Sequence, residues 1–176
     1  KIKQDHNIIP GLGIILVGER TDSQTYVRMK IKACKEVGIN NFDVLLPEDV
    51  LEEEIIRQVE IMNNDNNIHG ILIQLPLPKH VNQDRVLEAV KLEKDVDGFH
   101  PTNIGKLALN RKDDLLVPCT PDGCIKLLDH YNLDIEGKHV VILGRSNIVG
   151  MPLALLLLHR NATVTICHSR TKNIKE

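Results

Sequence analysis

The stretch 139-HVVILGRSNIVGMPLALLLLHRNATVTICH-168 alternates short apolar runs with a longer helical pattern. It predicts a strand over 139–144, a glycine-containing turn, a helix over 149–160 and a strand over 162–168. The first of these strands is apolar without polar alternation, as strands buried on both faces are. The stretch therefore predicts an α/β fold in which helices cover both faces of a parallel sheet.

The same alternation extends through the rest of the chain. Apolar runs predict strands over 12–17, 42–47 and 68–78, the last of them interrupted by two prolines. Helices are predicted around Tyr26 with an end at Gly38, over 51–65, over about 82–91 and after residue 118, where Pro121 suits a first helical turn. The segment 94–107 is rich in turn residues.

Composition narrows the classes of function. The 176 residues are 42% hydrophobic and 26% charged, with a net charge of −2. This balance gives no electrostatic reason to expect nucleic acid or an anionic membrane as a partner. No apolar run approaches the length of a membrane span, and residues 1–10 lack the apolar stretch of a secretory signal.

The four cysteines and the other potential metal ligands predict no metal site. Their spacing contains no C-x-x-C pair and matches no standard zinc site, and unpaired thiols in a reducing compartment are expected. A disulfide between Cys119 and Cys124, which flank a Pro-Asp-Gly turn, is disfavoured.

The turn 144-GRSNIVG-150 lies between a strand and a helix, where a phosphate-binding loop belongs. Gly144 allows a sharp turn, and Gly150 allows the helix start to approach a pyrophosphate closely. Ser146 stands where the second glycine of G-x-G-x-x-G would be. A plain strand-to-helix turn and a dinucleotide site both fit this pattern.

The end of the following strand favours one nicotinamide cofactor over the other. A site for NAD would place an acidic residue there to hold the ribose 2′-hydroxyl. The residues present are His168, Ser169, Arg170 and Thr171, and Arg145 adds a second cation from the glycine loop. These groups suit the 2′-phosphate of NADP, although a solvated polar strand end is the alternative.

Tyr26 and Lys30 lie four residues apart in a predicted helix and therefore share one face of it. On this stretch alone, an ordinary solvated lysine is the simpler interpretation.

Six segments in this order resemble the bifunctional methylenetetrahydrofolate dehydrogenase/methenyltetrahydrofolate cyclohydrolase family. They are 26-YVRMKIK-32, 70-GILIQLPLP-78, 94-KDVDGFHPTNIGKL-107, 118-PCTPDG-123, 144-GRSNIVGMP-152 and 162-ATVTICHSRT-171. The resemblance implies NADP-dependent oxidation of 5,10-methylenetetrahydrofolate to the methenyl form and its hydrolysis to 10-formyltetrahydrofolate. It also implies a role in one-carbon metabolism and purine biosynthesis, tetrahydrofolate substrates, a homodimer and a cytoplasmic location, with mitochondria as the alternative compartment.

The resemblance assigns roles in a folate site. Lys30 matches the family's catalytic lysine, with Tyr26 beside it, and Gln74 can hydrogen-bond the lysine without favouring its charged form as a carboxylate would. Asp97 matches an aspartate that can accept hydrogen bonds from the pterin 2-amino group and N3–H. Ser23, which also suits a simple helix start, and Pro76 complete the predicted substrate contacts.

The resemblance also assigns cofactor contacts. Arg145 and Ser169 are the expected 2′-phosphate contacts, and Thr120 lies near the nicotinamide with Pro121. The full predicted cofactor set is Gly144, Arg145, Ser146, Ile148, Gly150, His168, Ser169, Arg170 and Thr120.

The predicted domains are a folate-binding α/β domain over 1–120 and the start of a Rossmann-type NADP-binding domain over 121–176. The second domain is expected to be incomplete at its C-terminal end, because a doubly wound nucleotide-binding sheet normally has five or six strands. Three alternatives remain: a dehydrogenase-only relative, a catalytically silent folate-binding protein and an unrelated NADP dehydrogenase.

Overall fold

The computed structural model describes residues 5–111, 113 and 115–174. The chain forms two compact units, of which the first ends at Val96 and the second begins at Asp97. Each unit contains parallel strands, which confirms the predicted fold class. A compact unit is not the same as a functional domain, and the boundary between residues 120 and 121 stays a prediction. Within the described ranges, no helix is both long and apolar enough to cross a membrane.

The first unit is built on a parallel sheet with the strand order β2–β1–β3. A helix follows each of the first two strands, as expected for crossover connections between parallel strands of one sheet. The elements are β1 (Gly11–Val17), α1 (Thr21–Val37), β2 (Asn40–Leu46), α2 (Glu52–Asn64), β3 (Gly70–Ile73), α3 (Gln83–Glu88) and a short 3₁₀ helix (Leu92–Lys94).

Strand β1 is central and is covered on both faces. Its residues Ile15 and Val17 belong to a core that includes apolar side chains of α2 and α3. On the opposite face, Ile14 and Leu16 pack with Val27 of α1. Burial of one such side chain contributes about 1.5–3 kcal/mol, so this two-sided core accounts for much of the unit's stability.

Helix α1 ends at a glycine that supplies a left-handed conformation. Gly38 has φ 78° and donates its backbone N–H to the carbonyl of Lys35, while Ile39 donates to Cys34. This arrangement satisfies carbonyls of the last turn, and the predicted helix end at Gly38 is confirmed.

The second unit contains α4 (Pro101–Ala108), α5 (Cys119–His130), β4 (His139–Leu143), α6 (Gly150–Leu158) and β5 (Thr163–Cys167). Strands β4 and β5 pair in parallel, with Leu143 opposite Cys167. Ile142 of β4 packs with Ile125 of α5 and Leu157 of α6 on one face of this pair. The two strands therefore end side by side, and the loops that follow them start at the same edge.

Two predicted elements differ from the structure. The strand predicted over 68–78 is shorter in the structure and spans Gly70–Ile73, because Pro76 and Pro78 have no N–H to continue the ladder. The segment 94–107, predicted as turns, contains helix α4, whose start is stabilised by Pro101 in its first turn and by the His100 side chain accepting from the Thr102 amide.

Candidate active site

The site predicted in the first unit lies at the carboxyl edge of the sheet. Gln74 follows β3 directly, and its backbone N–H donates to the carbonyl of Ile15 on the neighbouring strand at 2.9 Å. Only 9% of the Gln74 surface is exposed. Parallel α/β sheets bind ligands at this edge, so the position of Gln74 agrees with a role in a site.

Lys30 and Gln74 are brought together although they are 44 residues apart in sequence. The Lys30 Nζ donates to Gln74 Oε1 at 2.9 Å. The amide of Gln74 is held in this orientation because its Nε2 donates to the carbonyl of Leu75 at 2.8 Å. The lysine nitrogen therefore has a fixed, neutral acceptor, and the Lys30 residue as a whole is half-buried.

Tyr26 lies one turn before Lys30 on α1, and 60% of its surface is exposed. Ser23 lies a further turn towards the start of the helix and is buried, with 3% exposed. The N-cap position is occupied by Arg20, which makes no side-chain cap bond, so Ser23 is not the capping residue of α1. An exposed ring beside a half-buried amine leaves room for a flat ligand against the tyrosine.

Pro76 lies at the rim of a cavity of about 460 Å³ on the same edge of the sheet. The peptide bond between Leu75 and Pro76 is cis. The cavity is lined by the loops that follow β1, β2 and β3, including Glu19, Arg20, Glu48, Lys79 and His80. These charged residues form no recognisable sequence motif, so they were not predicted as site residues from the sequence.

A second cavity, of about 470 Å³, lies between α1 and β2. It is lined by Val27, Arg28 and Ile31, which form a different face of α1 from that of Tyr26 and Lys30. Burial raises the pKa of Asp43, which also lines this cavity, although the Lys35 ammonium opposes the shift. The cavity is thus separate from the pair formed by Lys30 and Gln74.

Asp97 is the first residue of the second unit and is half-buried. Two residues earlier, Asp95 is 5% exposed and forms a parallel bridge with Ile71 in the first unit. The role of Asp97 in a site with Lys30 stays a prediction.

The glycine loop of the second unit follows β4. Gly144 has φ 140° and donates its N–H to the carbonyl of Cys167. A Cβ added to Gly150 would lie 2.5 Å from the Gly144 carbonyl oxygen, so only glycine fits at this helix start. The Ser146 hydroxyl accepts from the amides of Val149 and Gly150 at 3.2 and 3.3 Å.

The end of β5 carries the predicted ribose contacts. The backbone amide of His168 donates to the Thr171 hydroxyl at 2.9 Å, and the amide of Arg170 donates to His168 Nδ1 at 3.2 Å. Ser169 and Arg170 are exposed, as is Arg145 in the glycine loop. Because β4 and β5 end side by side, these donors follow adjacent strand ends, and residues 168–171 include no carboxylate.

The remaining predicted cofactor residues also lie in the second unit. Ile148 is half-buried in the glycine loop, Thr120 is exposed in the first turn of α5, and Pro121 is buried beside it. This set, with a tight glycine approach and exposed cations, is chemically suited to a phosphate-bearing dinucleotide.

Comparison with known protein families gives a match to both halves of the chain. The model for the catalytic domain of tetrahydrofolate dehydrogenase/cyclohydrolase matches residues 1–97, and the model for the NAD(P)-binding domain of the same enzymes matches residues 118–176. The chain belongs to the tetrahydrofolate dehydrogenase/cyclohydrolase family. The resemblance inferred from the six sequence segments is confirmed.

Individual members of the tetrahydrofolate dehydrogenase/cyclohydrolase family are similar along nearly the whole chain. The chain is 58% identical to the bifunctional protein FolD 4, chloroplastic, of Arabidopsis thaliana over 100% of its own length and 49% of that relative. The solved bifunctional FolD enzyme from Campylobacter jejuni is 47% identical with a TM-score of 0.91, covering 97% of this chain and 60% of that one.

A second solved structure, the Trypanosoma brucei FolD enzyme complexed with NADP cofactor and inhibitor, is 42% identical with a TM-score of 0.92. The match covers 97% of this chain and 58% of the trypanosomal one. The chain thus spans about half to three-fifths of the length of these relatives.

Proposed function

We propose that the intact protein oxidises 5,10-methylenetetrahydrofolate with NADP and hydrolyses the resulting 5,10-methenyltetrahydrofolate to 10-formyltetrahydrofolate. Membership of the family supports both reactions. The observation that carries the proposal is the 2.9 Å hydrogen bond from Lys30 Nζ to Gln74 Oε1 at the carboxyl edge of the sheet.

In the hydrolysis, Lys30 acts as the proton carrier. Water attacks the methenyl carbon, and a base must take a proton from that water and return one as the ring opens. Gln74 holds the lysine nitrogen through a neutral amide oxygen instead of a carboxylate. The same amine can then serve as base for the attack and as acid for ring opening.

The remaining folate contacts provide positioning. The exposed ring of Tyr26 flanks the flat pterin on the helix face that carries Lys30. Asp97 accepts hydrogen bonds from the pterin 2-amino group and N3–H, a donor pair that suits a carboxylate. Ser23 and Pro76 border the same substrate.

NADP supplies the hydride acceptor for the oxidation, and the chain's contribution is binding and orientation. Gly144, Ser146 and Gly150 shape the loop for the pyrophosphate. Arg145 and Ser169 contact the 2′-phosphate, supported by the lack of a carboxylate in residues 168–171. Since charge-assisted hydrogen bonds contribute about 1.5–3 kcal/mol, Arg145→Ala should raise the KM for NADP about tenfold or more and leave the KM for NAD unchanged.

The hydrolysis of 5,10-methenyltetrahydrofolate, followed by loss of its absorbance, tests the proposal without cofactor chemistry. Lys30→Ala should lower kcat by about 10²–10⁴, the usual contribution of a positioned acid or base. Lys32→Ala is the matched control, because Lys32 lies on the same helix, is exposed and contacts only Glu36 at 3.9 Å among the ion pairs of the described residues. Equal activity of the two variants would reject the catalytic role of Lys30.

The same assays separate the alternatives. Oxidation without hydrolysis would identify a dehydrogenase-only enzyme, and folate binding without either reaction would identify a silent binder. Failure to bind any folate would favour an unrelated NADP dehydrogenase.

We also propose a homodimer that works in the cytoplasm or in mitochondria and supplies 10-formyltetrahydrofolate to purine biosynthesis. These features are supported by family membership alone. Light scattering of the purified protein tests the dimer, and a monomeric mass would reject it.

A further inference from the structure

The segment between Ala89 and Val96 is hydrogen-bonded to the C-terminal end of helix α2 through a lysine side chain. The Lys94 Nζ donates to the carbonyls of Met62 and Asp65, each at 2.8 Å. The Met62 carbonyl belongs to the last turn of α2, and Asp65 is the residue that follows the helix. Each carbonyl also accepts a backbone N–H, from Asp65 and Ile68 respectively, so the lysine adds a second donor to both. Burial lowers the pKa of Lys94, and the nearby Lys91 ammonium adds to that shift.

A buried asparagine makes a second attachment at the same place. Asn63, of which 8% is exposed, donates its Nδ2 to the carbonyl of Ala89 at 2.8 Å. Its Oδ1 accepts from the backbone N–H of Lys91 at 3.0 Å. The C-terminal end of α2 thus contacts the segment 89–96 at two places, near Ala89 and Lys91 and again at Lys94.

Beyond Lys94 the chain is held against the sheet. Asp95 forms a parallel bridge with Ile71 of β3. Val96 packs so closely on Gly70 that a Cβ added there would lie 2.3 Å from the Val96 Cγ1. The next residue in the sequence is Asp97.

We propose that Lys94 is a positioning residue for folate recognition, because its two hydrogen bonds fix the chain that carries Asp97. The inference rests on the proposed function, in which Asp97 binds the pterin. A lysine ammonium can be hydrated by water without bonding to the protein, so solvation alone does not require these two contacts. Hydrogen bonds to two carbonyls of another segment instead fix the position of Lys94 and of the residues that follow it. Small displacements of a group that positions a substrate are costly in binding and catalysis.

The test compares Lys94→Met with Lys91→Met in the intact protein. Methionine keeps much of the aliphatic length and removes the donors. Lys91 is the matched control, since it belongs to the same segment and its Nζ makes longer hydrogen bonds among the described residues, at 3.5 Å to the Asn63 carbonyl and 3.4 Å to Asn64 Oδ1. Two readouts are needed: amide hydrogen exchange of residues 95–99, and KM and kcat for hydrolysis of 5,10-methenyltetrahydrofolate.

In Lys94→Met, exchange at residues 95–99 should accelerate at least tenfold and the folate KM should rise about tenfold. The kcat and the dissociation constant for NADP should change less than twofold, and Lys91→Met should change none of these. Lys94→Arg, which keeps two donors, should restore much of the folate KM. If Lys94→Met does not fold, Lys94→Gln, with one shorter donor, should show an intermediate rise.

Unchanged hydrogen exchange in Lys94→Met would overturn the attachment itself. Faster exchange with an unchanged folate KM would overturn the role in recognition, and an equal loss of NADP affinity would indicate a general structural effect instead. Absence of folate binding in the unaltered protein would count against the proposed function, and the exchange data would still decide whether Lys94 fixes the segment.

Discussion

Gln74→Glu is a near-isosteric change that replaces the neutral acceptor of Lys30 by a carboxylate. The acceptor oxygen lies 2.9 Å from Lys30 Nζ, and Gln74 is 9% exposed. A carboxylate there stabilises the protonated lysine. It also removes the donor that Gln74 offers to the Leu75 carbonyl. The variant therefore tests whether hydrolysis needs a neutral neighbour beside the amine.

The size of the effect follows from the charge pair. Two unit charges 4 Å apart in an effective dielectric of 20 attract by about 4 kcal/mol. Exposed pairs contribute about 0–1 kcal/mol. Lys30 is half-buried, so an intermediate value of about 2 kcal/mol is appropriate. At 1.36 kcal/mol for each factor of ten, the rate of hydrolysis at neutral pH should fall about thirtyfold.

The assay is hydrolysis of 5,10-methenyltetrahydrofolate over a range of pH. In Gln74→Glu the pH profile of the rate should differ from that of the unaltered protein, because the variant adds a charge beside Lys30. Oxidation of 5,10-methylenetetrahydrofolate should change only a few-fold, since hydride transfer depends mainly on positioning. Gln74→Met is the control: it removes the acceptor without adding charge and should lower the rate without moving the pH profile. An unchanged rate and pH profile in Gln74→Glu would refute the reasoning.

Two further predictions concern stability. Gly150→Ala should destabilise the second unit by about 1–3 kcal/mol and weaken NADP binding, because its Cβ would meet a backbone oxygen at 2.5 Å. Gly123→Ala is the control at an open helical position, and it should instead stabilise the protein by about 0.5–1 kcal/mol. Urea melts and NADP titrations of both variants check these effects. Hydrogen bonds from Arg57 and Gln58 lower the pKa of Glu54 to about 2 from its ordinary 4.5. Its stabilising effect is therefore complete above about pH 4.5 and is lost as pH falls towards 2. Glu54→Gln should reduce the loss of stability between pH 6 and pH 3 in urea melts, and an identical loss in both proteins would contradict this assignment.

The sequence was sufficient to predict most elements because their periodicity is local. The central strand β1 and helix α1 with its end at Gly38 follow from an apolar run, an amphipathic pattern and one glycine. Helix α4 was missed because its segment is rich in turn residues, and its start depends on a side-chain bond from His100. Local pattern does not show such a bond.

The pairing of Lys30 with Gln74 could not be predicted from local pattern at all. It requires β3 to lie beside β1. It also requires helix α1 to pack on the sheet so that Lys30 lies next to the C-terminal end of β3. Strand order is set by packing between distant segments, so only the family resemblance placed both residues in one site. The contact of Lys94 with the end of α2 is of the same kind, and no motif pointed to it.

The departure of the glycine loop from G-x-G-x-x-G has a physical explanation in Ser146. Its hydroxyl accepts from the amides of Val149 and Gly150, which would otherwise be unsatisfied at the start of a helix. A glycine at this position would leave both amides to solvent or to a ligand. The serine therefore closes the loop on itself, and with Gly150 packed against Gly144 the loop has a defined shape before the proposed cofactor phosphate binds. Less conformational entropy then remains to be lost on binding, which favours affinity. The serine thus supplies, through order, part of what a second glycine would supply through close approach.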